Sequence, residues 1–398
     1  MIPVYFSRPA VFCAAGSNID ELWESVVSGN QNGICRVKAL NGKEFFAARI
    51  ADGLLKKSGG RYDMRIIRIE EQAVCQLEKE IELVKNKYGE RRVGVCVGSC
   101  DNGTEFSLAG HREYFARGEF PESYTLEIQG ADYVASFITE KYGLHGPSLV
   151  FETACSSSAG AIIKAAELIR SGICDAVVAG GIDIASDTVL MGFDSLEAIS
   201  SEITNPFSKN RHGITLGEAG AFFVMTKDVL DGNLPVQLLG YGESADAYHM
   251  TSPDPSGNGA MRAMKKALSA AEIKPEEVDY INLHGTGTKY NDSMEAKAVF
   301  SVFGENKVSA STTKPVTGHT LGAAGALEAA VCFACIEKNY GREEICLPIQ
   351  VWDRQQDSEM PALNIVDKNS KNSGKVKICL SNSFAFGGAN SSLIIGIK

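Results

Sequence analysis

The chain has 398 residues, 44% of them hydrophobic and 22% charged, which suits a globular protein long enough for roughly two or three domain-sized units. Its net charge of -10 argues against nucleic acid as a partner and requires any acidic partner to dock on a local basic patch. Eleven cysteines, an odd number scattered through apolar segments, read as reduced thiols of a cytoplasmic protein; no run approaches the ~20 apolar residues of a membrane span, and the first residues carry no basic targeting start.

Strand-like and helix-like runs then alternate. "ELWESVVSG" and "EEQAVCQLEKEIELVKNKYG" read as helices and "RRVGVCVGS" as a strand. "PSLVFETA" (147 to 154) reads as a short buried strand, followed by a helix over "SSSAGAIIKAAELIRSG" that stops at Gly172, and by another apolar strand, "CDAVVAGGID". After "AFFVMTKD" a polar turn, "KDVLDGNLP", divides the chain into residues 1–231 and 232–398. The second part brings "MRAMKKALSAAEI", "VDYINLHGTGT" and "KICLSNSFAFGGANSSLIIGI". The alternation predicts an α/β protein with mixed sheets.

Cys155 falls at the strand-to-helix corner. There the free N–H groups of the first helical turn favour negative charge, so the corner predicts a thiol that ionises readily and attacks as thiolate. The alternative on this stretch alone is a buried structural cysteine. The second part echoes the first, since "TGHTLGAAGALEAAVCFACI" matches "TACSSSAGAIIKAAELI" in placing a reactive residue type before a small-residue helix. Such an echo predicts a duplicated unit whose two helix starts converge on one site. Histidine is scarce, six in all, yet His284 in "INLHGTGT" and His319 in "KPVTGHTLGAAG" both sit in glycine-rich loops. "SNSFAFGGANS" adds a loop whose glycines let backbone N–H groups approach a ligand, the material of an oxyanion hole. The single "CFAC" pair lies in an apolar helix and reads as buried thiols, so no metal is expected.

Five ordered motifs together, "TACSSSAGA", "DAYHMTSPDP", "HGTGTKYND", "STTKPVTGHTLGAAGALE" and "NSFAFGGAN", resemble those of elongating β-ketoacyl-[acyl carrier protein] synthases over essentially the whole chain. The resemblance implies a thiolase-like fold, with two βαβ-rich halves in a five-layer α-β-α-β-α arrangement. It implies Cys155 as the acylated nucleophile, and His284 and His319 as neutral Nε2–H donors to the enolate of a decarboxylating malonyl group. The backbone N–H groups of Cys155 and Phe386 are implied as the hole for the tetrahedral oxyanion. Lys314 is implied to hold this network against an acid, with Glu295 and Glu328 as matching carboxylates and Asp292 in support. Thr286 and Thr288 resemble the hydroxyls that hold a phosphopantetheine arm, with Thr251, Phe384, Ala385 and Gly387 lining the substrate path; without the family the threonines read as turn residues. The implied partners are acyl carrier protein and a second subunit, as a homodimer or a heterodimer with a ketosynthase-like chain. No cofactor is implied beyond the carrier's phosphopantetheine.

Two other classes fit less well. A coenzyme A-dependent thiolase is expected to carry a second cysteine where this chain has "NSFAFGGAN", and a non-catalytic ketosynthase partner lacks the nucleophile that Cys155 supplies. Departures from the resemblance are Lys289 and Tyr290, where proline and a small or aliphatic residue are usual, and Ala385, where glycine is usual and a stiffer gate is expected. They leave a specialised polyketide-like lipid, for instance an aryl polyene, open beside ordinary fatty-acid elongation. For carrier docking, Arg61, Arg65 and Arg68 are expected on one helix face, with Lys209 and Arg211 as a second candidate; the alternative is a solvated charged face.

Overall fold

A computed structural model describes residues 2–57, 59–305, 307–370 and 374–398. The strands of the large sheet are β1 (Tyr5–Phe6), β2 (Ala10–Cys13), β3 (Val93–Gly98), β4 (Ser148–Phe151), β5 (Ala176–Asp183) and β6 (Ala219–Thr226), then β7 (Gln237–Ala245), β8 (Tyr280–Asn282), β9 (Ser309–Ser311), β10 (Asn364–Ile365), β11 (Ile378–Phe384) and β12 (Ala389–Gly396); Ile34–Lys38, Glu44–Ala48 and Leu216–Gly217 form a separate small sheet. In the first half they lie in the order β4-β3-β5-β6-β2, with β4, β3 and β5 parallel and β6 and β2 antiparallel to their neighbours. In the second they lie in the order β9-β8-β11-β12-β7 with the same parallel and antiparallel pattern, and β10 added outside β9. The two half-sheets are thus one topology used twice, and β1 joins them by pairing with both β6 and β7.

Helices interleave with these sheets. The main ones are α1 (Arg65–Val74), α2 (Ser157–Arg170), α3 (Asn258–Ala271), α4 (Lys289–Phe303) and α5 (Ala324–Asn339). Three apolar clusters mark the helix layers. The middle one joins Ala159, Ile162 and Leu168 of α2 and Leu327, Ala330 and Phe333 of α5 to Phe223 and Ile395 of the two sheets. One outer cluster puts Ile66 and Ile69 of α1 against Phe222 and Val224; the other puts Met264 of α3 and Val299 of α4 against Ile281 and Ile394. Phe223 faces the middle while its neighbours face out, as strand alternation requires. Three helix layers and two sheet layers give the five-layer arrangement.

The small residues of α2 and α5 follow from this burial on all sides. A Cβ at Gly325 would lie 2.7 Å from the Ala159 nitrogen, and one at Gly98 would lie 2.1 Å from the Ser158 nitrogen. Both lie below contact distance, so the layers meet backbone to backbone and larger side chains would force them apart. No helix among the described residues is long and apolar enough to cross a membrane.

Candidate active site

Cys155 lies in a 3-10 turn, Ala154–Ser156, that runs from β4 into α2. Ala154 takes φ 50°, a left-handed conformation that costs an alanine roughly 1–2 kcal/mol. Hydroxyls brace the turn: Ser157 Oγ donates to the Ala154 carbonyl at 2.6 Å and Ser156 Oγ to the Thr153 carbonyl at 2.9 Å. The thiol is buried, and burial pushes it up to about 11, opposed by the Lys314 charge and by the Phe386 N–H, which donates to the sulfur. The readily ionised thiol expected from the helix start is therefore corrected: desolvation outweighs the favourable field, and the resting group is a thiol.

Both histidines converge on it from the second half. His319 Nε2 lies 3.0 Å from Cys155 Sγ, and the two imidazoles meet edge to face with centroids 5.3 Å apart. Burial and the Lys314 charge hold both rings well below the usual histidine range, so each is neutral at neutral pH. Lys314 Nζ lies 3.5 Å from His284 Nδ1 and 2.5 Å from the His284 carbonyl. A lysine ammonium can only donate, so Nδ1 accepts and His284 carries its proton on Nε2. Lys314 also pairs with Glu328, both fully buried. Glu295 does not take the expected place against Lys314: its two oxygens accept the His284 and Gly285 N–H groups at 2.8 and 2.7 Å, fixing the loop that carries the histidine. Burial raises Glu295 and Glu328 to about 7 each. Asp292 clamps the same region, accepting the Phe207 N–H at 2.8 Å and the Gly287 N–H at 3.2 Å. The donor atoms of Cys155, His284 and His319 lie within 4.8 Å of one another, the span of a three-ligand metal site. The ammonium against His284 sets a positive charge beside that trio, which opposes a metal cation.

A cavity of about 310 Å³ opens from this cluster and is lined by Thr251, Thr286, Thr288, Phe384, Ala385 and Phe386 among others. Thr286 and Thr288 are 3.0 Å apart through their hydroxyls, and Thr288 also caps α4. Phe386 stacks on Phe193 at 5.7 Å, a partner the sequence did not suggest. Ala385 takes φ -107°, ψ 154°, extended backbone open to any residue, so the strain expected of alanine is absent here. The left-handed positions fall instead on Gly387, φ 82°, and Gly388, φ 79°. The loop is tied to residues 246–255 by the Gly387 N–H to the Met250 carbonyl at 2.7 Å and the Asp246 N–H to the Gly388 carbonyl at 2.9 Å.

Residues 10–229 match the beta-ketoacyl synthase N-terminal domain, and residues 236–344 match the C-terminal domain. The chain belongs to the beta-ketoacyl synthase family. It is 31% identical to the 3-oxoacyl-[acyl-carrier-protein] synthase 2 of Coxiella burnetii, over 96% of this chain and 95% of that one, and 29% identical to its namesake in Vibrio cholerae over 95% of each. Among solved structures, a chain of the ketosynthase (ApeO) in complex with its chain length factor (ApeC) from Xenorhabdus doucetiae is similar at 34% identity and TM-score 0.89, covering 100% of this chain and 98% of that one. The ishigamide ketosynthase/chain length factor is similar at 25% identity and TM-score 0.87, covering 100% and 99%. The duplicated half-sheets are the thiolase-like fold of this family.

On this synthase the expected basic helix face does not form. Arg61 sits outside α1, in a 3-10 turn, paired with Glu127 and Glu140. Arg65 is largely buried and bonds the fully buried Glu218, and Arg68 pairs with Asp63. Arg211 is buried against Asp357, while Lys209 stays exposed. Arg65 and Arg211 are thus internal ties and cannot present charge to a partner. Asp183 went unread: fully buried, it accepts the N–H groups of Cys100 and Gly322 at 2.8 and 2.7 Å. An aspartate closing an apolar strand, "CDAVVAGGID", was the available signal.

Proposed function

We propose that this synthase condenses a malonyl group with an acyl group held on Cys155, both delivered as thioesters on the phosphopantetheine arm of acyl carrier protein, and releases 3-oxoacyl carrier. Cys155 sulfur attacks the acyl thioester, the carrier thiol leaves with the proton, and an acyl-enzyme remains. The malonyl thioester then loses CO₂. Its electron pair passes to the thioester oxygen as an enolate and returns through carbon to the acyl carbonyl, forming the C–C bond; the tetrahedral oxyanion collapses and expels Cys155 as thiolate, which takes a proton from solvent to restore the thiol. His284 and His319 donate to the enolate oxygen; the Cys155 and Phe386 N–H groups receive the tetrahedral oxyanion. The observation that carries this reading is the 3.0 Å contact between His319 and Cys155 beside a His284 whose tautomer Lys314 dictates. The named relatives in Coxiella burnetii and Vibrio cholerae support it.

Acylation tests it directly. Intact mass after mixing with acyl carrier should rise by one acyl group, and Cys155→Ala should show none; acylation of the alanine variant would refute the assignment. His284→Ala or His319→Ala should cut CO₂ release from malonyl carrier by ~10²–10³ while Cys155 still accepts an acyl group.

A second thiolase-like subunit, a copy or a ketosynthase-like partner, belongs to this reading. The similar complex of a ketosynthase with its chain length factor supports it, as does the exposed edge strand β4, where Leu149 is 37% exposed. The same likeness keeps a specialised lipid product beside ordinary elongation. Eleven free thiols favour a reducing, cytoplasmic setting.

A further inference from the structure

The segment 284–290 runs from the reaction centre to the surface. His284 is 1% exposed and Thr286 5%, Thr288 is half-buried, Lys289 is exposed and Tyr290 is 66% exposed; all five line the one cavity that ends at Cys155. Their chemistry follows the same order: a ring N–H donor, two hydroxyls, then an ammonium. Lys289 makes no ion pair among the described residues. The acid beside it, Asp357, is committed to Arg211 at 2.6 Å, and among the described residues the only acid lining the cavity is Glu197. Arg211, itself buried, lines the cavity too. It donates to the Lys289 carbonyl at 3.4 Å and to Ser293 Oγ at 2.9 Å, and its Nε meets no acceptor. The mouth thus carries a lysine that feels Asp357 but makes no ion pair among the described residues, and whose carbonyl accepts from Arg211.

We propose that Lys289 binds the phosphodiester of the phosphopantetheine arm and so sets the preference for phosphorylated thioesters. The assignment rests on the carrier-thioester reading above. An arm with its thioester at Cys155 and its amides at Thr286 and Thr288 brings its anionic end to Lys289, in the order the segment dictates. An ammonium at an exposed mouth acts as a point charge, so the preference is modest and salt-sensitive.

The test compares an acyl-phosphopantetheine with the acyl-pantetheine that lacks only the phosphate, by acylation kinetics of Cys155. The wild type should favour the phosphorylated thioester about five-fold in kcat/KM, mostly through KM, and high salt should erode the difference. Lys289→Gln should bring the ratio close to one and Lys289→Arg should keep it. Acyl-coenzyme A offers a diphosphate at the same place and should lose reactivity in parallel; a loss confined to coenzyme A would overturn the carrier assignment. Acylation by both thioesters with the same ratio in wild type and Lys289→Gln would overturn the role of Lys289 alone. Failure of the wild type to be acylated by either would sink the condensing reading and this proposal with it.

Discussion

The turn that carries Cys155 has a twin. In each half a 3-10 turn enters a buried small-residue helix: Ala154–Ser156 before α2 and Leu321–Ala323 before α5. Ala154 takes φ 50° and Leu321 φ 53°, so even the strained position repeats. Cys155 then stands opposite Gly322, and Ala161 opposite Glu328. At the first turn the side chain faces a cavity and receives the Phe386 N–H; at the second a Cβ would lie 2.7 Å from Asp183 Oδ2 and 2.8 Å from the Ser99 carbonyl carbon. The same backbone thus holds a nucleophile that faces a cavity in one half and a closed turn sealed by the Asp183 carboxyl group in the other. The comparison teaches that this backbone does not make an active site; what faces the turn does.

Four substitutions probe how far that holds. Glu328→Ala makes α5 match α2 at that level and leaves Lys314 buried without its acid, which should cost ~3–5 kcal/mol and lower the thermal midpoint more than any change below. Gly322→Ala should cost ~2 kcal/mol, read by denaturant unfolding, because Asp183 and the Ser99–Cys100 backbone cannot both retreat. A neutral result would show the second turn to be as open as the first. The matched pair Leu321→Gly and Ala154→Gly splits strain from packing. The leucine change should destabilise by ~2 kcal/mol through lost burial, whereas the alanine change should stabilise by ~0.5 kcal/mol as glycine relieves the left-handed strain. A gain in both would show that the burial of Leu321 contributes little, and a loss in both that the left-handed backbone at Ala154 carries no strain for glycine to relieve.

Asp183→Asn should have the smallest effect at neutral pH. Burial and the neighbouring Asp101 raise the Asp183 carboxyl to about 8, so the folded state keeps a proton the unfolded chain releases near 3.9. Stability contributed by that proton is present at low pH and is lost as pH rises towards 8. The amide variant should remove that slope between pH 5 and 8, measured by unfolding at each pH, and its persistence would place the titration elsewhere.

Much of this was legible. The order of strands and helices and the small-residue helices leave local marks, because periodicity and glycine spacing are written residue by residue, whereas Cys155, His284 and His319 are joined only by the resemblance of five ordered motifs to a known family. The internal echo located both small-residue helices, but it matched Cys155 to His319, whereas the repeated turn matches it to Gly322. What stayed hidden depends on distant partners: Arg65 is neutralised by Glu218, 153 positions away, and Arg211 by Asp357, 146 away, so neither could be told from a surface cation. The break before α1 escaped for a related reason, since Met64 in extended conformation ends the helical phase that would have aligned Arg61. Thiol acidity was misjudged because a helix start is visible in sequence and the depth of its burial is not.

The graded burial from Tyr290 to His284 also bears on fidelity. An enolate waiting for an acyl group can instead capture a proton, wasting the malonyl unit as a simple decarboxylated thioester. A passage that grows steadily more enclosed strips water from the arm segment by segment, so the thioester carbon arrives where neutral imidazole N–H and amide N–H groups are the donors and bulk solvent is remote. Such a channel is expected to filter against hydrolytic and protic side reactions, which the yield of condensed over merely decarboxylated product would read.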